Sequence, residues 1–459
     1  MSNKITILGA GLVGSLSAIL LQQRGYKVTI LERRPDMRTE ALSAGKSINL
    51  AMSMRGWAAL EMAGLKAEIE EIAIPMYGRQ IHNLDGTSPF QAYGKNNEAI
   101  YSVSRGDLNK KLMILAEKSG VKIKFNQRVD EADIQRNLLK GIDSLTQEPF
   151  AFSDHDIVIA ADGAFSALRN AYVKKDRFNY SQFYIEHGYK ELFIPAGENS
   201  SFLLEKTALH IWPRKNFMLI ALPNFDGSFT CTLFFPFEGN PSFQSTQTKE
   251  EAITFFKTYF PDALELMPTF IEDYFRNPTS SLVTVKCFPW IHDDKNMLIG
   301  DAAHAIVPFY GQGMNAGFED CRILMETIDD STNKEWGQIF ATYQKARKNN
   351  GDAVADLALQ NFIEMRDLVG DAVFLSRKKI EKQLGTLYPE QFNSVYEMVS
   401  FSHTPYHIAI SCQKAQDKLL HRIMSKGDFD TNMLDENFQV ELGEWLREYS
   451  EELEERREN

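Results

Sequence analysis

With 459 residues the chain is too long for one ordinary hydrophobic core and suits two or three domains. Hydrophobic residues at 44% and charged residues at 24% match a folded globular protein and exclude wholesale disorder. A formal net charge of −12, with no lysine- or arginine-rich block, argues against a nucleic-acid partner, because neutralising phosphates requires a basic face.

The chain opens on a βαβ unit. Ile5–Leu8 reads as a short buried strand, Gly9-Ala10-Gly11-Leu12-Val13-Gly14 follows, and a helix runs to about Arg24 before a second strand, Val28–Leu31. The three glycines stand where a tight turn, a close phosphate and helix–strand packing each exclude a side chain. Glu32 ends the second strand, where a carboxylate can accept from a ribose hydroxyl. A lone GxGxxG is weak; placed between strand and helix, with the acid in position, it marks a dinucleotide site. The opening strand leaves no room for a signal peptide.

Helical periodicity marks Arg55–Ala63 and Asp107–Lys118, with a strand at Val121–Phe125. Asp156–Ala161 is a buried strand ending in Asp162-Gly163, with Ser166 and Arg169 beyond. From His187 to Pro236 the β-formers come in close runs, as in an antiparallel sheet. A helical pair (about Lys249–Leu264 and Met267–Arg276) and a strand (Ser281–Phe288) lead to Leu298–Leu324. That segment runs strand, Asp301, Pro308, Gly311, Gly313, then helix. Bare N–H groups and the helix dipole there suit an anion or an electron-rich ring.

Beyond Glu335 the pattern is helical, and Glu444–Asn459 reads as a charged, solvated helix. Cys231, Cys287, Cys321 and Cys412 share no metal-ligand spacing and read as reduced thiols of a cytoplasmic protein. The nine histidines form no ligand set, so no metal is expected. No run of 18 apolar residues occurs, so no membrane span is expected.

The three separated motifs together resemble the single-component flavoprotein aromatic hydroxylases, the para-hydroxybenzoate hydroxylase-like family. The resemblance rests on Gly9, Gly11, Gly14 and Glu32; on Asp162, Gly163 and Arg169; and on Gly300, Asp301, Pro308, Gly311, Gly313 and Asn315. It implies an α/β fold: a Rossmann-like FAD-binding domain (residues 1–178 and 280–330), an inserted antiparallel β-rich substrate domain (179–279) and a helical C-terminal region (331–459).

It further implies that FAD is held by Gly9, Gly11, Leu12, Gly14, Glu32, Arg33, Arg105, Asp162, Gly163, Asp301, Pro308, Gly311, Gly313, Met314 and Asn315. NADPH is then a transient co-substrate, since no second GxGxxG is present. Longer strings are similar to the branch of this family that hydroxylates L-kynurenine: Glu32–Arg38, Gly45–Gly56, His187–Leu192, Ala208–Arg214, Pro308–Cys321 and Asn361–Asp367.

Carried over by position, Arg79, Tyr93, Asn361 and Tyr406 meet the amino-acid end of that substrate, and Phe309 and Tyr310 wall its ring. A guanidinium and a phenol suit a carboxylate. Tyr310 could pack on the ring or donate to it. The resemblance implies oxygen transfer from a flavin hydroperoxide, with no protein catalytic residue and His304 structural. A phenolic or polycyclic substrate remains the alternative. So do, from other classes, a non-catalytic FAD-binding sensor and a colourless NAD-dependent dehydrogenase. Partners are the small substrate and O2, with no membrane and with a homodimer left open.

Overall fold

The computed structural model describes residues 4–39, 49–94, 97–364 and 372–458. Residues 45–48 and 365–367 of the strings quoted above lie outside them.

The apolar run Lys4–Leu8 becomes the centre of a six-stranded sheet. Lys27–Leu31 and Ile157–Ala160 flank it in parallel, followed by Lys122–Lys124 on one side and Asn296–Leu298 on the other. Ile291–His292 adds a short antiparallel edge. Parallel strands are covered on both faces, which is why they spell near-continuous apolar runs. Ile157, Val158, Ile159 and Ala160 are all buried. The helix Leu12–Gln23 is enclosed from Gly14 to Leu21, packed against the helices Arg105–Lys118 and Gly313–Asp330. At ~1.5–3 kcal/mol per fully buried large aliphatic side chain, this layer supplies much of the driving force for the first half.

The second sheet has seven strands, in the order Ser280–Phe288, Asn179–Ile194, Phe229–Pro236, Phe217–Pro223, Ala208–Arg214, Gly78–Ile81, Phe90–Ala92. Three of these come from outside 179–279. Gly78–Ile81 joins in parallel, with Arg79 opposite Leu209, and carries Phe90–Ala92 with it. Successive residues point to opposite faces. Phe235 packs with Phe217, Phe255 and Phe260 under the helices Lys249–Tyr259 and Pro261–Glu265. Phe234, the next residue back, meets Phe309 and Phe362 on the other side. This second face closes the active-site region.

Two small sheets were not anticipated. Asn49–Met52, Ile100–Ser104 and Ala73–Met76 form one; Gln127–Asp133, Leu138–Asp143 and Pro149–Phe152 form the other. The latter is spelled largely in polar residues and buries little besides Ala132 and Leu139, so it carries almost no period-two signal.

The C-terminal helices are Trp336–Ile363, Ala372–Leu387, Val395–Ser400, Tyr406–Ser425 and Glu436–Glu458, with the short Phe429–Asn432 between the last two. The tail is not the solvated helix its charges suggest. Leu442, Leu446, Tyr449 and Leu453 are buried at helical spacing against Tyr406–Ser425, and only the other side carries the charges. The four cysteines are free and buried. Among the described residues no helix is long and apolar enough to cross a membrane.

Candidate active site

The cofactor cleft is made mainly of backbone. Gly9 has φ +92°, and a Cβ there would lie 2.8 Å from the Ala161 carbonyl oxygen. At Gly14 a Cβ would fall 2.0 Å from the Gly9 oxygen, so only glycine lets the helix sit on its strand. At Gly11 a Cβ would meet nothing within 4 Å, which leaves the helix N-terminus open for a phosphate. Leu12 is the first residue of that helix.

Glu32 is buried and accepts from the Ala10 N–H at 2.6 Å and from Arg34 Nε at 2.8 Å. Burial pushes its carboxyl up, but the Arg34 and Ala10 donors outweigh it and hold it below the usual range. Arg34, itself half-exposed, carries no distinguishing mark in the sequence; the string ERR does not say which arginine meets Glu32. Arg33, which was expected in the cleft, is exposed, its carbonyl accepting from Ser144.

Across the cleft, Asp162 accepts from the Ala167 N–H at 2.8 Å through Oδ2, while its buried Oδ1 has no partner among the described residues. Burial raises this carboxyl despite the donors of Ser166 and Ala167. A Cβ at Gly163 would again meet nothing within 4 Å. Asp301 begins the helix Asp301–His304 and is open to solvent within a deep recess. Burial raises its carboxyl against the opposing charge of Arg105, which starts the helix across from it.

Pro308–Tyr310 is one 3₁₀ turn, and Gly311 follows at φ +68°. Gly313 then begins an 18-residue helix. The Met314 side chain packs in the core, leaving its backbone for the cleft. The Asn315 amide is fully used: Oδ1 accepts from Ser53 N–H at 2.9 Å, and Nδ2 donates to the Ala51 and Gly311 carbonyls, each at 2.9 Å. It shapes the turn rather than offering polar atoms. Open space at Gly11, a carboxylate oxygen at Asp162 without a partner among the described residues and a turn at Gly311–Gly313 with little side-chain cover together fit FAD.

Beside this turn lies a second, side-chain-built pocket. The Arg79 guanidinium sits 5.4 Å from the Tyr93 ring centroid and 4.9 Å from that of Tyr396. Tyr396 stacks on Tyr93 at 5.6 Å and on Tyr310 at 5.8 Å. Burial works against the Arg79 charge, yet the facing phenols keep it raised, so Arg79 is a permanent cation. Burial and Tyr396 push the Tyr93 phenol up. Neither Arg79 Nε nor the Tyr93 hydroxyl has a hydrogen-bond partner among the described residues. Phe309 packs on Phe362 and Phe234, and Asn361 Nδ2 donates to the Phe309 carbonyl at 2.6 Å.

The tyrosine beside Arg79 is Tyr396, not the expected Tyr406. Tyr406 is wholly enclosed, its hydroxyl on Gln312 and its ring under Arg55. The structure does not bring it to Arg79. A sequence signal for Tyr396 existed: Ser394 and Glu397 form a capping box that puts Tyr396 in the first turn of a helix. Nothing in that box says which way the turn faces.

Below both regions runs a buried ionic network. Arg347 Nη1 donates to Glu319 at 2.6 Å and Nε to Asp320 at 2.7 Å. Arg55 holds the other Glu319 oxygen. Asp320 Oδ2 accepts from His304 Nε2 at 2.6 Å and from the Gly300 N–H at 3.1 Å. Two guanidiniums balance two carboxylates, and Asp320 fixes the corner that precedes Asp301.

The fold and cleft define an FAD-binding protein, and the FAD binding domain family matches residues 2–358. The 2-methyl-3-hydroxypyridine-5-carboxylic acid oxygenase shares the fold, with a TM-score of 0.64 and 18% identity, over 80% of this chain and 94% of its own. So does a Klebsiella pneumoniae HpxO variant complexed with FAD, with a TM-score of 0.64 and 17% identity, over 83% and 93%. The chain is 48% identical to a kynurenine 3-monooxygenase of Dictyostelium discoideum, over 94% of this chain and 95% of the relative. It is 47% identical to that of Christiangramia forsetii, over 92% and 93%, and 46% identical to that of Myxococcus xanthus, over 97% of each. The chain belongs to the kynurenine 3-monooxygenase family of FAD-dependent aromatic hydroxylases.

Proposed function

We propose that this protein hydroxylates L-kynurenine to 3-hydroxykynurenine with FAD, NADPH and O2. The observation that carries this reading is Arg79, a fixed cation caged by Tyr93 and Tyr396 beside the cofactor cleft. A substrate that joins an aromatic ring to a carboxylate matches that pairing, and the relatives' names point the same way.

In this reading Arg79 grips the carboxylate, Tyr93 and Tyr396 add phenol donors, and Asn361 braces the Phe309–Tyr310 wall on which the ring lies. The aniline nitrogen makes the ring electron-rich, so no protein base is required. Bound FAD supplies the redox chemistry, taking electrons from NADPH and activating O2. Gly9–Gly14 and Glu32 hold its adenosine half; Arg105, Asp162 and Asp301 hold its middle. The turn at Gly311–Gly313 lends helix-dipole potential to its ring. The walls exclude water and fix the ring in place.

The same reading assigns residues 1–178 and 280–330 to FAD, 179–279 to the substrate sheet together with the strands it recruits, and 331–459 to a helical cover. It places the protein in the cytoplasm. The test is direct: FAD-loaded protein given L-kynurenine, NADPH and O2 should form 3-hydroxykynurenine, read by chromatography. Substrate-independent NADPH oxidation without that product overturns the assignment.

A further inference from the structure

Tyr406, which the Arg79 pocket does not use, makes a buried hydrogen bond beneath the cofactor turn. Its hydroxyl donates to Gln312 Oε1 at 3.0 Å, and the Arg55 guanidinium covers its ring 4.1 Å from the centroid. Arg55 is itself fixed, with Nε donating to the Val399 carbonyl at 3.0 Å, Nη2 to that of Thr404, and Nη1 to Glu319. The ring therefore cannot shift without breaking buried charge-assisted bonds.

The direction of the Tyr406 bond follows from counting protons. Burial pushes the phenol up, so it keeps its proton, and Gln312 Oε1 is the one acceptor it meets among the described residues. With the amide turned over, Nε2 would face the phenol oxygen and the phenol proton would be stranded in the interior, which is strongly disfavoured. Gln312 is itself 2% exposed, and its Nε2 makes no hydrogen bond with a described residue. It stands between Gly311 and Gly313, where a Cβ would meet only Ala51 at 3.5 Å and Ile306 at 3.6 Å.

We infer that Tyr406 is a positioning residue for the cofactor: by holding Oε1 it locks the Gln312 amide in one flip and leaves the two Nε2 protons for an acceptor on bound FAD. This rests on the flavin reading of the cleft and not on the identity of the substrate. It also gives the C-terminal helices a part in cofactor binding that their sequence does not advertise.

The test titrates apo-protein with FAD, following flavin fluorescence, for the natural chain, Tyr406→Phe, Gln312→Met, the double variant and Gln312→Glu. Each single change should raise the Kd of FAD roughly five- to tenfold, the loss of about one hydrogen bond. The double variant should be no weaker than the weaker single, because the two side chains act as one unit. Gln312→Glu keeps an acceptor for Tyr406 but has no donor, so it should bind FAD as weakly as Gln312→Met. A natural Kd in Gln312→Glu, or additive losses in the double variant, overturns the inference. So does a raised KM for L-kynurenine in Tyr406→Phe at unchanged FAD affinity, since that would return Tyr406 to the substrate. Thermal midpoints taken alongside separate unfolding from lost affinity. If the natural chain fails to hydroxylate kynurenine, the FAD affinities still decide this point.

Discussion

The cofactor cleft and the Arg79 pocket share the turn Pro308–Gly313 but are made of different material. The cleft is shaped by absent side chains, at Gly9, Gly11, Gly14 and Gly163, within one βαβ unit and two short turns. The pocket is made of side chains brought from Gly78–Ile81, from the loop at Tyr93 and from the helix Val395–Ser400, more than 300 positions along the chain. A site of the first kind tolerates no added atom; a site of the second kind tolerates no lost one.

Arg79→Met tests this most severely. It should cut kcat/KM for L-kynurenine by about three orders of magnitude, roughly 4 kcal/mol for stripping a carboxylate of its buried cation, with FAD binding unchanged. Equal losses of FAD and substrate binding would show that the two regions are not separable. Gly14→Ala should do the reverse. A Cβ 2.0 Å from the Gly9 oxygen forces helix and strand apart, costing about 3 kcal/mol and the bound flavin, as melting and the visible spectrum would report.

Acid should separate the two regions without mutation. His210 lies on the strand paired with that of Arg79, its Nε2 donating to the Glu205 carbonyl at 2.8 Å and its Nδ1 accepting from His82 Nε2 at 2.9 Å. Burial pushes it from 6.5 down to about 4. The unfolded chain therefore takes the proton first as pH falls: stability is full above about 6.5 and is lost between there and about 4, by up to roughly 3 kcal/mol. Denaturation midpoints at pH 7 and pH 4.5 should differ, and His210→Gln should flatten the difference. An unchanged slope in that variant would remove His210 from the account. Kynurenine binding should weaken at higher pH than FAD binding does. Tyr396→Phe is the mildest test, raising KM about fivefold for one lost phenol bond while leaving FAD affinity alone. An unaltered KM would leave Tyr396 as packing only.

The same contrast explains what could be read from the chain alone. Gly9–Glu32 was legible because backbone geometry dictates residue type locally: only glycine survives at Gly14. The pocket was legible in part. Arg79 lies on a strand and Tyr93 just past the end of the neighbouring one, but Tyr396 and Tyr406 lie ten positions apart in adjoining helices, and sequence cannot say which faces Arg79. Arg33 and Arg34 pose the same problem at closer range. The tail misled for another reason: its many charges hide the stripe Leu442, Leu446, Tyr449 and Leu453. The strands between Gln127 and Phe152 escaped because polar hairpins lack an apolar face to alternate.

The buried guanidinium of Arg55 also constrains how the chain is made. Its counter-charge is 264 residues downstream and the Thr404 carbonyl 349 downstream, so a nascent chain holds an unpaired cation where its interior should close. Ribosome-stalled chains ending before Glu319 should therefore remain open to protease around Met54–Met62, and chains extending past Thr404 should not. Equal protection in both would mean that the N-terminal half matures alone. The helix Met54–Met62, near the start of the chain, is then among the last segments to become native.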